Sequence, residues 1–180
     1  MWKKTLLFMA LVALMVPQAN AQSIGFGPQV GYYKVRDADQ GSVMGGLALR
    51  VKLLPVIGIE GSINYRQEKY WDGLVTVHSW PVMVTGLIYP LPFVYGAMGF
   101  GWYNTTIDYD QNKLPLIKDE TTQKIGWHFG GGVELPVGPS FKLTADIRYV
   151  FLNYDFKKVP GRDDLNSNFY VITVGFLFGK

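Results

Sequence analysis

The sequence predicts an all-β protein: an eight-stranded antiparallel up-and-down transmembrane β-barrel, preceded by a cleaved signal peptide. Three observations carry that expectation. Segments of about ten residues or longer alternate between two kinds of side chain with period two, and no stretch follows the helical period. The connections between them alternate between short ones containing Pro and long polar ones. The composition also departs from that of a water-soluble chain. Of 180 residues, 48% are apolar, 15% aromatic and only 17% charged, with 21 glycines; an average soluble protein carries about 25% charged residues.

The start of the chain reads as a leader. Trp2-Lys3-Lys4 is a short positive stretch, Leu6 to Val16 is an unbroken apolar run, Pro17 ends it, and Ala19-Asn20-Ala21 is a small-x-small cleavage site. These are the three regions of a secretory signal peptide. An anchoring helix would need about 20 apolar residues to span the bilayer. The expected division is a signal peptide over 1–21 and a barrel domain over 22–180.

Charge and cysteine content exclude several classes. Taking Lys3 and Lys4 off the 17 basic residues leaves 15 against 14 acidic ones, so a nucleic-acid module working through net positive charge is not expected. Without cysteine there is no disulfide framework, thiolate metal site, cysteine nucleophile or lipidated cysteine. The apolar content is too high for a disordered chain.

Eight strands are expected, at 24–35, 43–54, 57–69, 74–88, 93–106, 121–135, 140–156 and 167–178. Leu54-Pro55-Val56, Tyr89-Pro90-Leu91-Pro92 and Pro136-Val137-Gly138-Pro139 make three short connections, since Pro cannot donate to a ladder and suits turns. The other four, at 36–42, 70–73, 107–120 and 157–166, are longer and polar. Tight periplasmic turns alternating with long external loops are the asymmetry of outer-membrane barrels.

The strands sort into two faces. The seventh sets Phe141, Leu143, Ala145, Ile147, Tyr149 and Phe151 against Lys142, Thr144, Asp146 and Arg148. The sixth sets Ile125, Trp127, Phe129, Val133 and Leu135 against Lys124, Gly126, His128, Gly130, Gly132 and Glu134. The third sets Ile57, Ile59, Ile63 and Tyr65 against Gly58, Glu60, Ser62, Asn64 and Arg66; the second sets Leu47, Leu49, Val51 and Leu53 against Gly46, Ala48, Arg50 and Lys52. The eighth has one strongly apolar face, from Tyr170 to Phe178, and one weakly polar face. In the first, Phe26, Val30 and Tyr32 are expected outward and Gly25, Gly27, Gln29 and Gly31 inward. The fourth and fifth are less decisive.

Alternation alone does not say which face is inside, because a soluble barrel alternates with the apolar face inward. The polar face here is rich in Gly with few charges, as a narrow eight-stranded interior requires. Aromatic residues gather near the strand ends, at Tyr32, Tyr65, Trp71, Trp80, Tyr89, Phe93, Trp102, Phe141, Phe151, Phe156 and Phe178, where rings suit the headgroup level. A closed barrel is also the one β architecture without unpaired backbone in lipid.

Ile24-Gly25-Phe26-Gly27-Pro28-Gln29-Val30-Gly31-Tyr32-Tyr33, Val94-Tyr95-Gly96-Ala97-Met98-Gly99-Phe100-Gly101-Trp102-Tyr103, Phe129-Gly130-Gly131-Gly132-Val133-Glu134 and the closing strand Tyr170 to Phe178 carry a resemblance. The chain resembles the small outer-membrane proteins of the OmpA/OmpX type, the "outer membrane protein β-barrel domain" proteins of the porin family. Family members often end on the final aromatic, whereas Gly179-Lys180 follow Phe178 here. The resemblance implies an exported, integral outer-membrane protein of Gram-negative cells, working as a monomer. Its implied partners are outer-membrane lipids and lipopolysaccharide, the barrel assembly machinery during biogenesis, and a surface ligand held by the loops.

No catalytic activity and no cofactor are expected. His78 and Ser79 invite a hydrolase reading, as in lipid A-modifying barrels. Adjacent strand residues point to opposite faces, so the pair cannot share a hydrogen bond as a nucleophile and its base must. Two isolated histidines without cysteine do not make a metal site. Gly130-Gly131-Gly132 lacks the Lys and following helix of a phosphate loop.

One cluster remains. Arg50, Lys52, Glu60, Arg66, Lys124, His128, Glu134, Lys142, Asp146 and Arg148 are expected in the lumen as a structural network of paired charges, because unpaired buried charge is costly. The competing reading is a porin-like lining for small solutes. For the hairpin of strands six and seven, centring the turn near 138 puts Glu134 opposite Lys142, Gly130 opposite Asp146 and His128 opposite Arg148. For strands two and three it puts Glu60 beside Arg50 or Lys52. The function expected is membrane structure or surface interaction through four long loops, with a small-solute channel as the alternative and a lipid A-modifying enzyme as the second alternative.

Overall fold

The computed structural model describes residues 23–35, 41–70, 75–109, 120–152 and 168–179. The described elements are eight strands: β1 (Ser23–Val35), β2 (Ser42–Leu54), β3 (Ile57–Tyr70), β4 (Val75–Leu91), β5 (Val94–Tyr109), β6 (Glu120–Gly138), β7 (Phe141–Phe151) and β8 (Phe169–Gly179). Each pairs antiparallel with its neighbour in sequence, and β1 pairs with β8, so the sheet closes into a barrel. Most observed bounds follow the expected ones, but β7, expected over 140–156, ends at Phe151 with Leu152 outside the strand, and β4 runs on from the expected 88 to Leu91. Residues 107–109 and 120, expected in a loop, extend β5 and β6. Most of the four long connections lie outside the described residues, as do Trp71 and Phe156.

The register determines the tilt of the strands. Stepping across paired residues from Ile24 through Val51, Ile59, Gly86, Met98, Phe129, Tyr149 and Tyr170 returns to β1 at Lys34, ten residues beyond the start. With ordinary strand rise and spacing, that stagger over eight strands gives a tilt of about 40° and a backbone radius of about 8 Å. Such an interior admits side chains and little more.

The faces alternate with the expected hand. Outward positions are apolar and exposed, including Phe26, Leu47, Ile59, Phe100, Ile125, Ile147 and Phe176. Inward positions are buried and mixed. Glu60, Ser62, Asn64, Thr85, His128 and Arg148 lie there, but so do Tyr33, Met44, Met83, Tyr103, Val150, Leu152, Phe169 and Val171, which form one apolar cluster. That cluster occupies the half of the lumen nearer the long connections. The half nearer the short turns holds Arg50, Lys52, Glu60, Glu134, Lys142, Asp146 and Arg148, with Leu87, Tyr89, Tyr95 and Ala97 forming an apolar cluster in that half.

Two expectations need correction. The β6–β7 hairpin is offset by two residues: Glu134 pairs with Thr144, Gly130 with Arg148, Gly132 with Asp146 and His128 with Val150. β6 runs on to Gly138, the turn tightens to Pro139-Ser140, and a bulge between Pro136 and Gly138 restores the parity of the faces. An even offset changes partners without moving any side chain to the other face. Tyr89, expected in the aromatic girdle, is 2% exposed and points inward. In the β2–β3 hairpin Arg50 pairs with Glu60 and Lys52 with Gly58, with a bulge beyond Lys52.

Candidate functional site in the barrel lumen

The inward side chains of β2, β3, β6 and β7 converge at one level. β2 supplies Arg50 and Lys52, β3 Glu60, β6 Glu134 and β7 Lys142, Asp146 and Arg148. Seven of the ten expected lumenal residues therefore meet in one network of four cations and three carboxylates. The five at its centre, Arg50, Glu60, Glu134, Asp146 and Arg148, are each at most 7% exposed.

Two of the bonds run along the wall, Arg50 to Glu60 between paired strands and Arg148 to Asp146 within β7, and two cross the lumen, Arg50 to Glu134 and Arg148 to Glu60. Arg50 donates from Nε to Glu60 Oε2 at 2.9 Å and from Nη1 to Glu134 Oε2 at 2.9 Å. Arg148 donates from Nη2 to Glu60 Oε1 at 2.7 Å and from Nε to Asp146 Oδ1 at 2.9 Å. Glu60 thus joins two guanidiniums, and Arg50 joins two carboxylates. Such charge-assisted bonds are the stronger kind, and the planar fork of Arg suits several acceptors at once. Lys52 and Lys142 flank the other oxygen of Glu134 at 3.2 and 3.3 Å. These two ammoniums lie toward the short-turn mouth, and Lys142 also donates to Ser23 Oγ at 2.9 Å.

Neutral groups complete the set. Tyr89 donates its hydroxyl proton to Glu134 Oε2 at 2.8 Å, and Tyr95 donates to Asp146 Oδ2 at 2.9 Å. Their rings also receive cations: Lys52 Nζ sits 3.9 Å from the Tyr89 centroid and the Arg50 guanidinium 4.4 Å from that of Tyr95. Arg148 Nη1 donates to Thr85 Oγ1 at 3.2 Å, and Thr85 Oγ1 shares a 2.9 Å hydrogen bond with His128 Nε2. His128 is joined to the network through Thr85.

The remaining two expected residues stand apart. Arg66 lies higher, toward the long connections, its guanidinium 4.4 Å from the Tyr33 centroid and 5.1 Å from that of Phe169. Lys124 faces inward beside its partner Tyr103, half-buried and without an ion pair among the described residues.

Glycine makes room for this arrangement. A Cβ on Gly132 would lie 2.5 Å from Asp146 Cβ and 2.8 Å from the Tyr95 ring, so any larger residue would displace the Tyr95–Asp146 contact. Gly99 does the same for His128, whose Nε2 would stand 2.9 Å from an added Cβ.

Tyr89, Tyr95 and Thr85 were not anticipated from sequence. All three lie on β4 and β5, whose two faces differ least in polarity. The usable signal was parity: Tyr95 shares its face with Gly99 and Gly101, the same Gly-rich pattern that marked the inward face of β1. His78 and Ser79 do point to opposite faces. Ser79 is buried inward, whereas His78 is outward and its Nδ1 lies 2.7 Å from the Tyr65 hydroxyl. Among the described residues no group of three or more His, Cys, Asp or Glu could hold a metal ion.

Comparison with known proteins agrees with this architecture. Among solved structures, a major outer membrane protein of Thermus thermophilus has 15% identity and a TM-score of 0.60, covering 87% of this chain and 99% of that one. Ail, the attachment invasion locus protein of Yersinia pestis, described in complex with the heparin analogue sucrose octasulfate, has 17% identity and a TM-score of 0.57, covering 88% and 97%. The N-terminal β-barrel domain of OprF from Pseudomonas aeruginosa has 13% identity and a TM-score of 0.57, covering 89% and 98%. At these identities the likeness is one of fold. No curated protein matches the sequence. The model of the outer membrane protein beta-barrel domain matches residues 5–178. With its closed sheet of eight strands and its apolar outer face, the chain belongs to that family and is an integral protein of the outer membrane.

Proposed function

We propose that this barrel is a non-catalytic, non-conducting membrane protein whose lumen is closed by paired charge, and that its work lies in membrane structure or in surface contacts made by the long loops. The observation that carries the reading is the cross-bracing of the lumen. Arg50 on β2 holds Glu60 on β3 and Glu134 on β6, while Arg148 on β7 reaches Glu60 from the other side. At the short-turn mouth, Ser23, Gly25, Arg50, Lys52, Glu134, Lys142 and Leu177 leave no free volume for a water molecule. A conducting pore needs a hydrated path, and these side chains are spent on one another instead.

Surface work is supported by the division of labour along the axis. The short turns leave little chain at one end of the barrel, and the sequence connects the strands at the other end through four longer polar segments. A relative of the same fold, Ail, is described with a sulfated sugar analogue bound. The test is a planar-bilayer recording with the folded protein. No steady conductance is expected. Discrete, reproducible steps would overturn the closed-lumen reading in favour of a small-solute channel.

A further inference from the structure

The outward face of β6, β7 and β8 carries a groove of about 330 Å³ lined by Phe129, Gly130, Ile147, Tyr149, Phe151 and Tyr170. That volume falls within the range of small-molecule sites, about 300–1,000 Å³. Its floor includes the backbone at Gly130, and on the outward face beside it Gly131 and its β5 partner Gly96 carry no side chain. Its wall is a set of interlocked rings. Tyr149 lies 4.6 Å from Phe151 and 4.5 Å from Tyr170, and Trp127 stacks on Phe151 at 4.0 Å with 9° between planes. Rings braced against one another keep the groove from collapsing.

The groove has a direction. Phe129, Tyr149, Tyr170 and Lys34 are successive cross-strand partners. The stagger of the sheet makes this line climb toward the long connections as it passes onto β1. Lys34 therefore stands at the upper end, exposed, its Cβ about 4.5–5.5 Å from that of Tyr170. Among residues whose side chains are described, Lys34 is the sole lysine or arginine on the outward face, and it has no ion pair.

We propose that this groove seats one acyl chain of an anionic, phosphate-bearing lipid from the leaflet at the long-loop end, with the headgroup on Lys34. In a bilayer the hydrophobic effect does not distinguish one tail from another, so selection falls to packing and charge. The ring wall supplies packing along the tail, and Lys34 supplies the charge at its head. A second copy of this chain fits less well, because the described side chains of its outward face include no carboxylate to meet Lys34. The inference rests on the membrane placement of the sheet and is independent of whether the lumen is closed.

Native mass spectrometry of the folded protein, released from micelles containing phosphatidylglycerol or phosphatidylcholine with identical chains, tests it. The wild type should retain one phosphatidylglycerol about fivefold more than phosphatidylcholine, the factor equivalent to the ~1 kcal/mol that one lysine contributes beside an anionic lipid. Lys34→Gln should bring the two lipids level, and Ile147→Trp, which fills the groove, should lose both. The heat-shift of the folded band in gels confirms that each variant is folded. Equal retention of both lipids by the wild type, a preference that survives Lys34→Gln, lipid retained by Ile147→Trp, or a dimer without lipid would each overturn the proposal.

Discussion

Glu60→Gln is the sharpest perturbation of the lumen, because this carboxylate alone joins both guanidiniums. Glu60 is 1% exposed and accepts from Arg50 at Oε2 and from Arg148 at Oε1. Glutamine keeps the shape and removes the charge. The seven-residue network then passes from four cations and three carboxylates to four and two. Breaking a buried pair by removing one partner costs about 3–5 kcal/mol. Here Arg50 keeps Glu134 and Arg148 keeps Asp146, so the loss should lie near ~3 kcal/mol, the lower end of that range. Arg148→Met alone strands Glu60 with Arg50 only and leaves Asp146 with the Tyr95 hydroxyl. The double variant removes one charge of each sign and should recover part of the loss, with a coupling energy of about 2–3 kcal/mol, large for contacting residues. The assay is urea-driven unfolding and refolding in lipid vesicles, followed by tryptophan fluorescence, for wild type, both single variants and the pair. Additive single effects, with coupling below about 0.5 kcal/mol, would refute the idea that the Glu60–Arg148 contact braces the lumen.

Three further outcomes are expected. Ile147→Arg, outward on β7 and half exposed, should cost about 2–4 kcal/mol if it sits at the bilayer midplane, against a near-neutral Ile147→Leu in the same refolding assay. Glu134→Gln with Lys142→Met should show a coupling of only about 0.5–1 kcal/mol, near the range of solvent-screened pairs; the pair is diagonal, 3.3 Å apart, and Lys142 is 24% exposed. A measured coupling above that would mean the two residues are directly opposed after all. Protease added to intact cells should nick near Lys113, Lys118 or Arg162, in the segments expected outside the cell; cleavage confined to 55–56 and 137–138 would reverse the orientation.

Much of this molecule follows from period and punctuation. Strand alternation is local: each side chain in an extended chain lies opposite its neighbours, so the assignment of Lys142, Thr144, Asp146 and Arg148 to one face needed no tertiary contact. The Pro-containing turns mark three hairpins, because a residue without an N–H suits a turn, although Pro28, Pro81 and Pro136 are carried within paired strands. The scarcity of charge on one face together with apolar residues on the other identified lipid as the outer solvent. Where both faces of a strand are similarly apolar, as in β4, β5 and β8, the sequence carried less information. Tyr89, Tyr95, Met83 and Leu87 are inward because the closed sheet leaves them nowhere else to go. An interior only as wide as side chains behaves as a protein core, so apolar residues pack there and polar ones are held where they find partners.

Register was the other quantity that sequence left open. Parity restricts it to steps of two, but the bulges at Pro136–Gly138 and beyond Lys52 decide which step is taken, and bulges depend on how the turn packs. The choice of ion-pair partner follows from that. Glu60 was expected beside Arg50 or Lys52, and the register selects Arg50. Glu134 contacts Lys142 diagonally and finds its stronger partner, Arg50, across the barrel on β2. A contact between residues 84 positions apart has no local signature in a chain. It exists because eight strands staggered by ten residues close into a cylinder narrow enough for one arginine to reach across.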